Sequence, residues 1–334
     1  MSKIKFLFSL IVIPLMIFSL VANSPADAST GIIHDSEFQL LQKQYGEKWA
    51  AEDKEIEKKL ESLREKHGKR PNIIHIIWDD MKYGAIGHPM LNNVTGYKSP
   101  NINKLAAEGM TFTRMYTEPS CTPTRVAAAT GRQPVRSGMI LPIFPIQRMG
   151  LPGSEVTIAE VLDDDYNTGF FEKSHFGDQE ESYLHNQGWD EAIFTLYNQF
   201  AGQAFTPELE DIGITIGWER DAWDHYALDQ KFRPTEWMWA VEGFEGQRGK
   251  EVATPRIVQE YHDFNAMAYK RVLAFIKKHA KDDKPFFLDW WPNLIELDSP
   301  ENKPKQTPHG SPSSESFYRF DKKVGEIVAL LEEL

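Results

Sequence analysis

The strongest constraint on the fold is the run NIIHIIWDD at residues 72–80. Its β-branched apolar residues suit a strand that is buried on both faces, and such strands are typical of parallel sheets. Helix-like and strand-like segments alternate from there on, which predicts an α/β fold with a mostly parallel central sheet flanked by helices. The predicted helices are 99–109, 124–131, 156–165, 257–281 and 315–334, and the predicted strands are 72–80, 110–117, 166–172 and 285–291.

Residues 1–28 have the pattern of a secretory signal peptide. Lys3 and Lys5 precede a long apolar run, and Ala26 and Ala28 form an A-x-A cleavage site. An uncleaved anchor is the alternative, because the apolar run is nearly long enough to span a bilayer. We expect cleavage after Ala28 and an exported protein, periplasmic or secreted, without a stable membrane anchor.

The rest of the chain divides into two predicted parts. Residues 29–70 form an N-terminal helical extension, because 35–67 carries apolar residues at helical spacing among many charges. Residues 71–334 form the main body. Within it, residues 178–256 are rich in Trp, Gly and acidic side chains without a clear period; the tryptophans suit stacking on sugar or aromatic rings, although core packing is their commoner use.

The charge of the chain limits its partners. The formal net charge is −12, which argues against nucleic acid or an anionic membrane surface as a partner. An anionic substrate would therefore need a local cluster of Lys, Arg or a metal ion that overrides the global field.

Two adjacent carboxylates end the first predicted strand. Asp79 and Asp80 lie where sites form in open α/β sheets, at the carboxyl end of a strand. Both could hold one hard cation through oxygen. A solvated loop or a helix cap is the alternative, since paired aspartates are common in such places.

Cys121 is the single cysteine of the sequence, so it has no disulfide partner in an exported chain. It lies between a predicted strand and a predicted helix, where the helix N-terminus favours an anion. A buried structural thiol is the common alternative. In a phosphatase-type nucleophilic loop, more residues separate the cysteine from the arginine than the three that stand between Cys121 and Arg125. A thiol protease needs a matched His, which the sequence does not reveal.

The segment CTPTR at 121–125, followed by TGR at 130–132, resembles the signature C-x-P-x-R…TGR of the formylglycine-dependent sulfatase (arylsulfatase) family. The resemblance runs from about residue 71 to the end and implies the α/β architecture of the alkaline-phosphatase-like superfamily. Other segments match the family in order and spacing: PNIIHIIWDD, SPNINKLAAEGMTFTRMYT, YNTGFFEKSHFGD, GWDE, PFFL and FYRFDKKVGEIVALL.

The resemblance implies that Cys121 is a precursor. In this family a formylglycine-generating enzyme, here an expected maturation partner, oxidises the cysteine to formylglycine. The aldehyde hydrate carries two hydroxyls, of which one can attack sulfur and the other can help to expel sulfate. Asp79, Asp80 and position 121 are implied ligands of Ca²⁺, with Mg²⁺ as the alternative.

Three further site residues follow from the same resemblance. Arg125 would brace the formylglycine and the metal-site carboxylates, Lys173 would bind sulfate oxygens, and His175 would hydrogen-bond or deprotonate the hydrate. Lys173 and His175 lie two residues apart at a strand end, which places them on one face. Without the family match, both would be read as residues of an exposed loop.

The sequence departs from the family pattern in two places. No His follows the strand at 285–291, where the family has His-x-Pro, and His309 is too far along to take that place. The Asp-Asn-Gly that completes the family's metal shell is also missing. We therefore expect a C-terminally truncated sulfatase whose sheet is incomplete at that end.

Two hypotheses for function remain. The first is a sulfuric ester hydrolase that acts on an aryl sulfate or a sulfated carbohydrate, whether a small molecule, a steroid or a polysaccharide. The second is a non-catalytic fragment that at most binds sulfated ligands or partner chains. A phosphoesterase of the same superfamily is a weaker rival, because such relatives use Ser or Thr as the nucleophile.

Overall fold

The computed structural model describes residues 34, 36–79, 81, 84–143, 147–197, 239–253, 258–293 and 312–334. The signal predicted at 1–28, Asp80 and three of the tryptophans considered above, at 218, 223 and 237, lie outside these residues. Contacts divide the chain into two units, residues 1–62 and 63–334. Among the helices of the described residues, no segment is long and apolar enough to cross a bilayer.

Helix α1 spans Ser36–His67 and has no buried residue along its length. Ion pairs one turn apart, Lys48 with Glu52 and Lys59 with Glu55, lie on its surface. Such exposed pairs stabilise a helix by only a few tenths of a kcal/mol, roughly 0.3–0.5 each. The helix predicted in this part of the chain is confirmed.

The described residues of the second unit form a six-stranded mixed sheet with the order β1-β6-β2-β3-β4-β5. The pairs β1/β6, β6/β2 and β2/β3 are parallel, while β3/β4 and β4/β5 are antiparallel. The predicted α/β fold with a mostly parallel sheet is therefore confirmed. The strands are β1 Ile73–Ile76, β2 Asn167–Lys173, β3 Glu191–Thr195, β4 Ala240–Phe244, β5 Lys250–Ala253 and β6 Phe286–Trp291.

Helices cover both faces of this sheet. The strands alternate their side chains between two cores. Phe170 of β2 packs with the helices at 121–130 and 158–162, while Phe171 packs with the helices at 258–279 and 312–333. This layering buries the central strands on both sides, as the apolar runs predict. The helices are α2 Pro89–Thr95, α3 Pro100–Glu108, α4 Cys121–Thr130, α5 Ile158–Leu162, α6 Val258–His279 and α7 Pro312–Glu333.

The strand predicted at 110–117 is wrong. These residues form an irregular segment in which Met110, Phe112, Met115 and Tyr116 are between 68% and 87% exposed. The alternation of side chains is a local pattern, whereas a strand also needs a neighbour that takes up its backbone hydrogen bonds. No described strand pairs with this segment.

Candidate active site

The candidate site lies at the carboxyl edge of the parallel strands. The strand order places β6 between β1 and β2. Asp79 and Asn293 follow the ends of β1 and β6, and Lys173 is the last residue of β2, so the three lie at adjacent strand ends. A cavity of about 280 Å³ opens there, lined among others by Trp78, Asp79, Cys121 and Arg125. This is the edge at which open α/β sheets bind their ligands.

Three buried charged side chains meet at this edge. Asp79 accepts a hydrogen bond from Arg125 Nη2 on Oδ1 at 3.1 Å, and it accepts a second from Lys173 Nζ on Oδ2. The side chains of Arg125 and Lys173 have no exposed area. Burial alone would raise the pKa of Asp79, but the two cations and their hydrogen bonds hold it well below its usual range. The carboxylate is therefore ionised at neutral pH.

Arg125 joins two parts of the site. One guanidinium nitrogen bonds Asp79, while Nη1 donates to the carbonyl oxygen of Lys173. The guanidinium carbon also lies 5.4 Å from the centre of the Trp291 ring, within the range of a cation–π contact. The helix α4 that carries Arg125 is thereby tied to the ends of β1, β2 and β6.

Cys121 is the first residue of α4 and is partly buried. Ser120 precedes it in extended conformation, and Gly131 ends the helix in the left-handed region with φ 65°. Burial raises the pKa of the Cys121 thiol, but the positive charges of His175 and Lys173 outweigh burial and lower it to about 6. The position therefore stabilises negative charge on the side chain of residue 121.

His175 is also buried and adopts a positive φ of 56°. Its Nε2 lies 2.9 Å from the carbonyl oxygen of Ile143, so Nε2 must carry the proton and donate it to that carbonyl. In the neutral ring Nδ1 is then an acceptor, and His175 also hydrogen-bonds the Cys121 thiol. His175 thus offers a lone pair for accepting a proton.

The structure brings Asp79, Cys121, Arg125, Lys173 and His175 together, while Asp80 lies outside the described residues. The Asp79 carboxylate is an ionised oxygen donor and in that respect fits a hard cation, but its two oxygens bond Lys173 and Arg125. A cation at Oδ2 would compete with the ammonium of Lys173.

A separate group of carboxylates could hold a metal ion elsewhere in the chain. Oxygens of Asp163, Asp190 and Glu245 lie within 4.8 Å of one another. Asp190 directly precedes β3, so this group lies at the amino edge of the parallel strands, opposite Cys121. No pattern in the sequence indicates these residues, because they are far apart in the chain and lie in segments without a metal-ligand spacing.

Sequence reasoning also missed Glu172 and Asn293. Glu172 is buried, has φ 94°, and accepts a hydrogen bond from the backbone N–H of Asn293 at 2.8 Å. The signal in the sequence was a charged residue inside the otherwise apolar run that ends in Lys173. A strand pattern alone predicts an exposed charge at that position.

The fold and the residues at this edge define a class of protein. It is an α/β protein in which buried cationic side chains surround residue 121 at the start of a helix. The sulfatase family model matches residues 71–319, and the chain therefore belongs to the sulfatase family.

Individual relatives agree with this assignment. Human arylsulfatase A is 46% identical over 113 residues, which is 32% of this chain and 21% of the relative. The N-acetylgalactosamine-6-sulfatase of Canis lupus familiaris is 25% identical over 277 residues, 79% of this chain and 47% of the relative. The crystal structure of the PsFucS1 sulfatase from Pseudoalteromonas sp. superposes with a TM-score of 0.66 and 26% identity, covering 84% of this chain and 56% of that one. The chain thus spans about half the length of these relatives or less.

Proposed function

We propose that the protein hydrolyses a sulfate ester, so that ester and water give an alcohol or phenol and inorganic sulfate. The observation that carries the proposal is that Asp79, Cys121 and Arg125 line one cavity within the sulfatase match and that Lys173 bonds Asp79 there. The formylglycine that the family forms from this cysteine would supply the nucleophilic hydroxyl of its hydrate. The remaining steps rest on side chains of this chain.

Each charged side chain has a proposed task. Lys173, which bonds Asp79 without ligand, would turn its ammonium to the sulfate oxygens, where charge accumulates as the ester bond breaks. Arg125 would keep the start of α4 against the strand ends through its bonds to Asp79 and to the Lys173 carbonyl. His175 would accept the proton of the attacking hydroxyl at Nδ1, since its Nε2 proton is held by Ile143.

We propose that Asp79 and Asp80, with the modified residue 121, hold the divalent cation, Ca²⁺ or Mg²⁺. Such a cation would neutralise sulfate oxygens and lower the pKa of the attacking hydroxyl. The ionised state of Asp79 supports this role. Titration calorimetry with Ca²⁺ should detect binding that Asp79→Asn abolishes, and equal affinities for both proteins would contradict the assignment.

We propose a sulfated carbohydrate as the substrate class, with aryl sulfates as simpler surrogates. The support is a relative named N-acetylgalactosamine-6-sulfatase that matches 79% of this chain. Export to the periplasm or the exterior, proposed from residues 1–28, would place the protein where such carbohydrates are found.

The test compares purified protein with Cys121→Ala on 4-nitrophenyl sulfate and on N-acetylgalactosamine 6-sulfate. Mass spectrometry of the peptide with residue 121 reports whether the thiol has become an aldehyde. We expect Cys121→Ala to lose activity by about 10³-fold or more, as is typical for loss of a nucleophile. Ser137→Ala is the control, since Ser137 bonds the Pro134 carbonyl and is not among the residues that line the cavity. Unchanged turnover in Cys121→Ala would refute the proposal, and binding of sulfated sugar without turnover would support the non-catalytic alternative.

A further inference from the structure

Glu172 has a backbone conformation that side chains rarely adopt. It is the penultimate residue of β2 and has φ 94°, in the region that favours glycine. Its side chain is almost fully buried, at 2% exposure. A strained backbone and a buried charge persist at one residue only when the surrounding contacts compensate for both.

The carboxylate of Glu172 supplies this compensation through the neighbouring strand. One oxygen accepts the indole N–H of Trp290 at 3.2 Å, and the other accepts the backbone N–H of Asn293 at 2.8 Å. Trp290 lies in β6, and Asn293 lies two residues beyond the end of that strand. The side chain therefore joins the end of β2 to the segment that leaves β6.

The residues that follow Glu172 are those of the candidate site. Lys173 comes next and bonds Asp79 and Arg125 through its ammonium and carbonyl, respectively. His175 follows after a single residue and has a second positive φ, 56°. The two unusual backbone conformations therefore bracket the turn that brings Lys173 and His175 to Cys121.

Asn293 depends on the same contact. It is buried, at 1% exposure, and its side-chain amide has no hydrogen-bond partner among the described residues. Its backbone N–H is held by Glu172. Without that acceptor the segment leaving β6 loses its attachment to β2 at the cavity edge.

We propose that Glu172 is a positioning residue for the sulfatase site. Its carboxylate joins the ends of β2 and β6 by hydrogen bonds. It thereby keeps the segment 173–175 in the conformation that presents Lys173 and His175 to residue 121. Glu172 itself takes no part in bond making or breaking. The expected effect on turnover rests on the proposed function, whereas the expected loosening of the two strand ends does not.

Three substitutions separate the hydrogen bonds from the strain. Glu172→Gly removes both hydrogen bonds and relieves the positive φ, while Glu172→Ala removes the bonds and keeps the strain. Glu172→Gln keeps an oxygen for the N–H of Asn293. Asp321→Asn is the matched control, because Asp321 is a buried carboxylate that also accepts backbone N–H bonds, from Asn101 and Ile102, but lies in α7, outside β2 and β6.

The first measurement is hydrogen exchange of the amides of Ser174 and Asn293, which needs no turnover. Ser174 N–H donates to the Thr195 carbonyl at 3.1 Å and so reports on the end of β2. We expect both amides to exchange at least about tenfold faster in Glu172→Gly and Glu172→Ala, as expected for local opening, and near the wild-type rate in Glu172→Gln. Asp321→Asn should leave their exchange relative to the rest of the sheet unchanged. Wild-type protection in Glu172→Gly would overturn the proposal, whether or not the protein hydrolyses sulfate esters.

The second measurement is the turnover of an aryl sulfate by protein with equal formylglycine content. We expect kcat to fall roughly 10–100-fold in Glu172→Gly and Glu172→Ala, with KM changed less, because misplacement of about 1 Å costs that much. Glu172→Gln should recover most of kcat, and Asp321→Asn should keep kcat per folded molecule. A Glu172→Gly protein with wild-type kcat would show that Glu172 is only structural. A wild type without turnover would refute the proposed function alone, and hydrogen exchange would then decide the role of Glu172.

Discussion

Replacing Asp79 by Asn isolates the electrostatic core of the site. Asp79 is the acceptor that the described residues provide for the Lys173 ammonium, which has no exposed area. Asn can still accept from Arg125 on its amide oxygen, but its amide nitrogen would then face Lys173, which is itself a donor. The variant therefore leaves a buried ammonium without an acceptor.

The size of the effect follows from the two contacts that change. Removing one partner of a buried ion pair costs about 3–5 kcal/mol, because the remaining charge stays desolvated. The exposed Lys104–Glu108 pair of α3 is the comparison, since both side chains are 63% exposed and their charged atoms lie 4.0 Å apart. Glu108→Gln should cost less than about 1 kcal/mol. The difference between the two variants is thus a few kcal/mol, enough for a clear change in the denaturation midpoint.

Urea denaturation followed by tryptophan fluorescence at pH 7 measures this difference. The pH dependence gives a second reading: the pKa of Asp79 is lowered in the folded state, so its contribution is present above the unfolded pKa of about 3.9 and is lost as the pH falls. The wild type should therefore lose stability more steeply than Asp79→Asn between about pH 5 and 3. An Asp79→Asn protein within about 1 kcal/mol of wild type at pH 7 would refute the argument.

Two other predictions concern the thiol and the backbone. In protein with unconverted Cys121, alkylation by iodoacetamide should be half-maximal near pH 6, because His175 and Lys173 lower the thiol pKa to about 6, and Lys173→Met should raise that midpoint; a wild-type midpoint near the ordinary value of about 8.5 would contradict this. Gly177→Ala should destabilise the fold by on the order of 3 kcal/mol in thermal unfolding, because its Cβ would lie 1.9 Å from the Met149 carbonyl oxygen at φ 104°. Gly246→Ala, at φ 69° with nothing within 4 Å of its Cβ, should cost only about 1 kcal/mol, and similar losses for both would count against the steric explanation.

The sheet could be predicted where strands are long apolar runs. The segments that became β1, β2 and β6 are of this kind, and each was found close to its predicted position. The strands β3 to β5 include charged residues such as Glu191 and Glu242, and their partners are set by tertiary contacts, so the sequence between 178 and 256 showed no period. The segment 110–117 shows the converse error, a strand-like alternation without a pairing strand among the described residues.

The candidate site was predictable as a set of residues but not as a geometry. Lys173 and His175 were expected on one face by strand alternation, yet β2 ends at Lys173 and His175 follows with a positive φ. Alternation holds only while the backbone remains extended. The ion pair between Lys173 and Asp79, and the role of Glu172, depend on long-range packing that no local spacing encodes.

The pairing of β1 with β6 contains a polar contact that favours one register of the two strands. β1 is aliphatic except for His75, which faces Asp289 of β6 and lies 2.7 Å from its carboxylate. If β1 added to the sheet one residue out of step, Ile74 or Ile76 would stand opposite Asp289, and a contact of this buried carboxylate would be lost. Trp189 and Trp291 would still donate to Asp289, so the shift would cost about the 0.5–1.5 kcal/mol of one hydrogen bond and would favour the native register by that amount. A single polar pair in an otherwise uniform apolar strand can in this way select the native alignment of the sheet.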